Sequence, residues 1–158
     1  MAEIHLCCGK ICAGKSWLAR QIRQEYNGVI LSCDEIMTLF PPLDGDERYA
    51  ETSEKVKKYL LGKALDILQC GTDVILDWGF WKKAERQAVT AYFEAQDIPV
   101  HWYYLDISDE AWQRNIARRN ACPGPSDYFV DEGLREKCLS RFEPPAPEET
   151  TGWIIIQK

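Results

Sequence analysis

Short apolar runs alternate with amphipathic stretches along the whole chain. Ile4-His5-Leu6-Cys7-Cys8 is almost continuously apolar, too short for a helix and of the kind buried on both faces of a sheet. From Trp17 to Tyr26, Leu18, Ile22 and Tyr26 recur at helical spacing, and Asn27-Gly28 supplies a stop before a second strand at 29–32. Residues 41–52, with Pro41, Pro42, Asp44, Gly45 and Asp46, read as a polar loop. Ser53 is an N-cap candidate for a long helix to Cys70 that carries Val56, Leu60, Ala64 and Leu68 on one face and ends at Gly71. A third strand follows at 73–77, a helix at 82–96, a fourth strand at 100–105, and a helix at 109–120 with Trp112 and Ile116 inward. Pro123-Gly124-Pro125 breaks that run, and Asp131 caps a further helix bearing Leu134, Cys138 and Phe142. Pro144, Pro145 and Pro147 lead to a last strand at 153–156. Five apolar strands joined by crossover helices predict an α/β domain, a parallel sheet covered on both faces, with one domain spanning 1–158.

Composition narrows the setting. The chain has 158 residues, 46% hydrophobic and 28% charged, enough for one full core. A net charge of −6 opposes a broad basic surface, so duplex nucleic acid is not an expected partner. The first residues enter a strand without the apolar stretch of a signal peptide, and no run approaches the ~20 apolar residues of a membrane span. A cytoplasmic address without membrane contact is the expectation. The seven cysteines are odd in number and form no C-x-x-C pair, which argues for reduced thiols used as small apolar residues. Cys12 is the exception considered for redox sensing, because a neighbouring helix N-terminus lowers thiol pKa values. His5 and His101 fall in strands and are expected to be buried and structural.

Against this background one segment carries chemistry. Gly9-Lys10-Ile11-Cys12-Ala13-Gly14-Lys15-Ser16 is a complete G-x-x-x-x-G-K-S phosphate loop, set between a strand and a helix. Its glycines let the backbone curl so that N–H groups face a polyphosphate, with Trp17 at the exit into the helix. Lys15 is then expected on the β- and γ-phosphates and the Ser16 hydroxyl on Mg²⁺. Val74-Ile75-Leu76-Asp77 has the pattern of a Walker B strand, whose Asp holds Mg²⁺ opposite Ser16, although many strands end in Asp as a turn residue. Trp78 and Trp81 follow at the carboxyl end of the sheet and either face a substrate or pack a helix. At the end of strand two, Asp34 is a candidate general base for an attacking hydroxyl, or an N-cap for a short helix at 35–40, or both. Arg114 and Arg118 share a helical face, and Arg119 adjoins them before the Pro-Gly-Pro break. Three arginines entering a loop suit a closing lid at about 114–130 that neutralises transition-state charge, whereas surface solubility accounts for one.

Taken together, the phosphate loop, Ser32-Cys33-Asp34-Glu35, Asp77-Trp78-Gly79-Phe80-Trp81, Tyr104-Leu105-Asp106, Arg118-Arg119-Asn120 and Phe142-Glu143-Pro144-Pro145 resemble the small AAA-type P-loop kinases. That group includes the kinase domain of polynucleotide kinase, zeta toxins and chloramphenicol phosphotransferase. The resemblance covers nearly the whole chain. It implies a strand order of 2-3-1-4-5, ATP as donor, Asp34 as catalytic base, Arg114 with Arg118 or Arg119 in the lid, and an adenine pocket at Phe142 and Pro144. It also places substrate contacts in the acidic loop at 44–48, where Arg48 is the candidate, although solubility alone accounts for an acidic surface loop. Met37 stands where polynucleotide kinases and zeta toxins tend to carry an Arg for a substrate phosphate, which weakens the case for a nucleic-acid 5′ end or UDP-sugar and sets a neutral or small hydroxyl acceptor at least level with them. The function implied is ATP- and Mg²⁺-dependent transfer to a hydroxyl. A nucleotide-binding regulatory module or slow ATPase is the alternative, and the absence of an Asn-Lys-x-Asp motif speaks against a GTPase switch.

Overall fold

The computed structural model of the chain describes residues 1–158 apart from Asp44 and Ser126. Strand β1 (Ile4–Cys8) leads through the glycine loop into α1 (Lys15–Tyr26), then β2 (Val29–Leu31) and the short α2 (Cys33–Met37). Helix α3 (Asp46–Gln69) precedes β3 (Val74–Gly79), α4 (Lys83–Glu94) and β4 (Val100–Asp106). Helices α5 (Asp109–Ala121) and α6 (Glu132–Arg141) and strand β5 (Ile154–Gln157) complete the order. The five strands form one parallel sheet ordered β2-β3-β1-β4-β5, in agreement with the expected order.

Period-two alternation explains why the central strands are apolar throughout. Leu6 and Cys8 of β1, with Val74 and Leu76 of β3, pack against Ala64 and Leu68 of α3 and Val89 and Phe93 of α4. Cys7 and Ile75 point the other way, onto Leu18 and Ile22 of α1 and Trp112 and Ile116 of α5. Each large aliphatic side chain so buried contributes about 1.5–3 kcal/mol. This order seats β1 between β3 and β4, so that the carboxyl ends of β1 and β3 adjoin at one edge of the molecule.

Three expectations need correction. Helix α3 starts at Asp46 after Gly45, so Ser53 lies inside it rather than capping it. Its first two turns carry few apolar residues because the packed stripe begins only at Val56, and Asp46 and Glu47 favour the positive helix terminus. Helix α2 is capped by Ser32, whose side chain accepts from the Glu35 N–H at 3.3 Å, which frees the Asp34 carboxylate from capping. His5 is buried, within 3.2 Å of the Tyr103 hydroxyl and 3.3 Å of Asp73, but His101 is half-exposed, because β5 covers β4 only from Tyr103 onward. Asp44 of the expected acidic loop lies outside the described residues.

One buried charge braces the far side of the sheet. The Arg86 guanidinium is 1% exposed and donates to Glu149 at 2.7 and 3.1 Å and to the Phe80 carbonyl at 2.9 Å. A guanidinium removed from water needs such full pairing. The contacts tie the stretch after α6 to the turn after β3.

Candidate nucleotide and acceptor site

The loop after β1 curls over the carboxyl end of the sheet. Gly14 caps α1 with φ 102°, a left-handed conformation that glycine adopts without strain. Cys12 also sits at positive φ, 58°, where a residue with a Cβ costs roughly 1–2 kcal/mol. Outside contacts hold this strained backbone. The Trp112 indole N–H donates to the Ile11 carbonyl at 2.6 Å, and the Asn115 amide donates to the Cys12 carbonyl at 2.9 Å. With these carbonyls turned to α5, N–H groups of the loop are left to face the cleft. The floor is equally tight. Gly79 has φ 91°, its carbonyl accepts from the Gly9 N–H at 3.1 Å, and a Cβ there would meet the Trp81 indole at 3.0 Å.

Two side chains of the motif meet the cleft directly. Lys15 at the start of α1 donates to the Lys10 carbonyl at 2.6 Å, while the Lys10 ammonium turns away and lies 4.4 Å from the Trp112 ring centroid. The Ser16 hydroxyl donates to Asp77 at 2.7 Å, and Asp77 is buried at the end of β3. Hydroxyl and carboxylate oxygens so close together are a donor set suited to a hard cation such as Mg²⁺, which takes few protein ligands and completes its shell with water and phosphate. Among the described residues no group of three or more His, Cys, Asp or Glu is placed to hold a metal ion.

A cleft of about 1020 Å³ opens in front of these groups. Ile11, Cys12, Gly14, Lys15, Ser16, Trp17, Asp34, Asp77, Trp78, Trp81, Arg118 and Arg119 line it. Asp34 is open to water but stands inside this concavity. Desolvation by the walls raises its pKa above the ordinary carboxylate value, and Asp77 adds to the rise, while Lys15, Arg119 and Lys57 oppose it. Trp78 stacks on Phe80 with centroids 5.6 Å apart and also faces the cleft, so the packing and lining readings both hold for it. Met37 is buried against Cys33, Val56 and Leu60 and does not line the cleft.

Other expected residues lie elsewhere. Arg114 is exposed and does not line the cleft, being a helical turn back along α5 from Arg118. Arg48 is exposed on α3 and is likewise absent from the lining. Phe142 is buried in the core beside α4, and Pro144 follows it outside the lining; the neighbouring Glu143 N–H donates to the Trp81 carbonyl at 2.8 Å. This segment braces the cleft wall from behind and does not form its surface. Cys12 is 5% exposed, and burial raises its thiol pKa despite Arg119 and Lys15, the reverse of what a redox-sensing thiol requires.

Several lining residues escaped the sequence reading. Tyr49, Ser53 and Lys57 recur four apart on α3, and Tyr128 faces them from the segment after α5. Burial and the Asp34 charge both raise the Tyr49 and Tyr128 phenols, and all three residues line the cleft. Lys57 lies 2.6 Å from Glu85, Arg119 3.6 Å from Asp127, and Lys137 2.7 Å from Asp46. Had α3 been started at Asp46, the i, i+4, i+8 stripe of Tyr49, Ser53 and Lys57 would have pointed to a polar face.

Residues 4–145 match the profile described as AAA domain. The chain belongs to the AAA domain family. Solved structures with the same fold include Kti12 of Chaetomium thermophilum in complex with ADP-AlF3, at 15% identity and a TM-score of 0.73, covering 98% of this chain and 88% of that one. A gluconokinase from Sinorhizobium meliloti aligns at 14% identity and TM-score 0.63 over 99% and 82% of the two chains. The APS kinase CysC of Mycobacterium tuberculosis, in complex with AMPPNP and APS, aligns at 14% identity and TM-score 0.64 over 99% and 88%. At such identities the likeness concerns the fold, which for this AAA domain protein is that of the P-loop kinases. No curated protein matches the sequence. Among the described residues no helix is long and apolar enough to cross a membrane.

Proposed function

We propose that this AAA domain protein is an ATP- and Mg²⁺-dependent phosphotransferase that moves the γ-phosphate to a hydroxyl of a small acceptor. The observation that carries the reading is the Asp34 carboxylate, free of capping duty and facing the same cleft as Lys15 and the Ser16–Asp77 pair. In this reading the loop at 9–16 cradles the phosphates and Trp17 borders the nucleoside. Ser16 and Asp77 would hold the Mg²⁺, which would supply neutralisation of phosphate charge. The acceptor hydroxyl gives its proton to Asp34 as its oxygen bonds to the γ-phosphorus, and the bond to the bridging oxygen breaks to release ADP. Lys15 follows the transferring group. Arg118 and Arg119, in a lid at about 114–130 of a single domain spanning 1–158, close on it and exclude water. Catalysis is then chiefly positioning and electrostatic stabilisation.

The ligands of neighbouring structures, ADP-AlF3 and AMPPNP, support a nucleotide in the cleft. The test is ADP formation from MgATP in the presence and absence of a panel of sugars, nucleosides and other small alcohols. Release of ADP that rises with one acceptor class, together with its phosphorylated product, supports transfer. Release that no acceptor alters would mark a slow ATPase or a nucleotide-reading module instead.

A further inference from the structure

Asn115 has no place in the mechanism above, yet both ends of its side chain are engaged. Its Nδ2 donates to the Cys12 carbonyl at 2.9 Å, and its Oδ1 accepts from Arg118 Nη2 at 3.2 Å. The orientation is unambiguous, since a carbonyl can only accept and a guanidinium can only donate. The first contact lands on the residue that holds positive φ inside the phosphate loop. The second lands on an arginine that lines the cleft and, among the described residues, has no carboxylate within ion-pair distance. Arg119, one residue on, already faces Asp127. Arg118 is thus the lid arginine with its charge uncompensated, and its recorded tether is the amide that also fixes the loop.

We infer that Asn115 is a positioning residue that couples the phosphate loop to Arg118, so that the curled loop and the poised guanidinium stand or fall together. The inference rests on reading the cleft as a nucleotide site. With Asn115 in place, the Cys12 carbonyl is held toward α5 and the loop N–H groups toward the phosphates, while Arg118 waits at the rim in a fixed rotamer. Nucleotide phosphate then meets both at once. Without Asn115, the left-handed turn at Cys12 loses one of its two α5 tethers, the other being Trp112 on Ile11, and Arg118 loses its preorganisation.

The test is a double-mutant cycle on binding of MgAMPPNP, followed by calorimetry, with N115A, R118A and the double variant. Each single change is expected to weaken binding about tenfold, the upper range for one hydrogen bond. The double variant should be weaker than the poorer single one by no more than about twofold, because Arg118 is useful only when held. N115D keeps an acceptor for Arg118 but loses the donor to Cys12, so its binding should also fall. Losses that multiply to about a hundredfold in the double variant would overturn the coupling, as would wild-type affinity in N115A or N115D. Melting temperatures report whether each variant folds, and N115S replaces N115A in the cycle if the latter does not. K15A separates the two claims. If wild-type protein binds, K15A does not, and the losses multiply, the coupling alone is wrong. If wild-type protein binds no nucleotide, the functional reading fails and takes the coupling with it.

Discussion

The two halves of the cleft are built by different means. The half proposed for the phosphates is backbone, a loop of eight consecutive residues in which the Ile11 and Cys12 carbonyls are tied to α5 and Cys12 and Gly14 occupy left-handed positions. The half proposed for the acceptor is side chains gathered from α2, α3, β3 and the segment after α5, with Asp34, Tyr49, Lys57, Trp78 and Tyr128 contributing one group each. A backbone cradle binds what all nucleotides share. A wall of side chains selects one acceptor among many, and it changes without disturbing the cradle. On this view a variant in one half should leave the other half's ligand unaffected.

Asp34→Asn is the sharpest break. Acceptor phosphorylation should fall on the order of 10²–10⁴-fold, the usual contribution of a positioned base, while affinity for MgAMPPNP persists. Transfer at the wild-type rate would remove Asp34 from the chemistry. Lys15→Ala should do the converse, weakening nucleotide binding by roughly 10- to 150-fold as a charge-assisted contact is lost, with an unchanged melting temperature. A dissociation constant equal to wild type would dissolve the distinction between the halves. The raised pKa of Asp34 sets a pH signature. Its carboxyl is protonated and idle below that value and ionised above it, so the acid limb of transfer should lie above the ordinary Asp value of about 3.9. A rate still flat at that pH would count against it. Tyr49→Ala or Tyr128→Ala should raise the acceptor KM about two- to tenfold and leave the nucleotide constant alone. Arg114→Ala, outside the cleft, should change neither constant, with stability within about 0.5 kcal/mol of wild type.

The same division governs what could be read from the sequence. The phosphate loop was legible because its mechanics demand particular residues at fixed spacing, and the sheet because Leu6, Cys8, Val74 and Leu76 had to face one layer of helices. The start of α3 was not legible, because a helix that borders a cleft has no apolar partner along its first turns. Tyr49 was hidden with it. Asp34 was visible as a carboxylate after a strand, but its freedom from capping depended on Ser32 taking that task. Tyr128 comes from a stretch with neither apolar period nor motif, and only the folded chain brings it to the cleft that Asp34 lines. Arg114 misled because helical spacing gives a shared face but says nothing of where the cleft ends.

The knot of Arg86, Glu149 and the Phe80 carbonyl has a consequence for the last third of the chain. Cutting before Glu149 would strand a cation inside the protein, a change that typically destabilises by about 3–5 kcal/mol. The damage would surface two residues from Trp78, which lines the cleft. The stretch that follows α6 is therefore a keystone, and trimming it should cripple a pocket to which it contributes no lining residue.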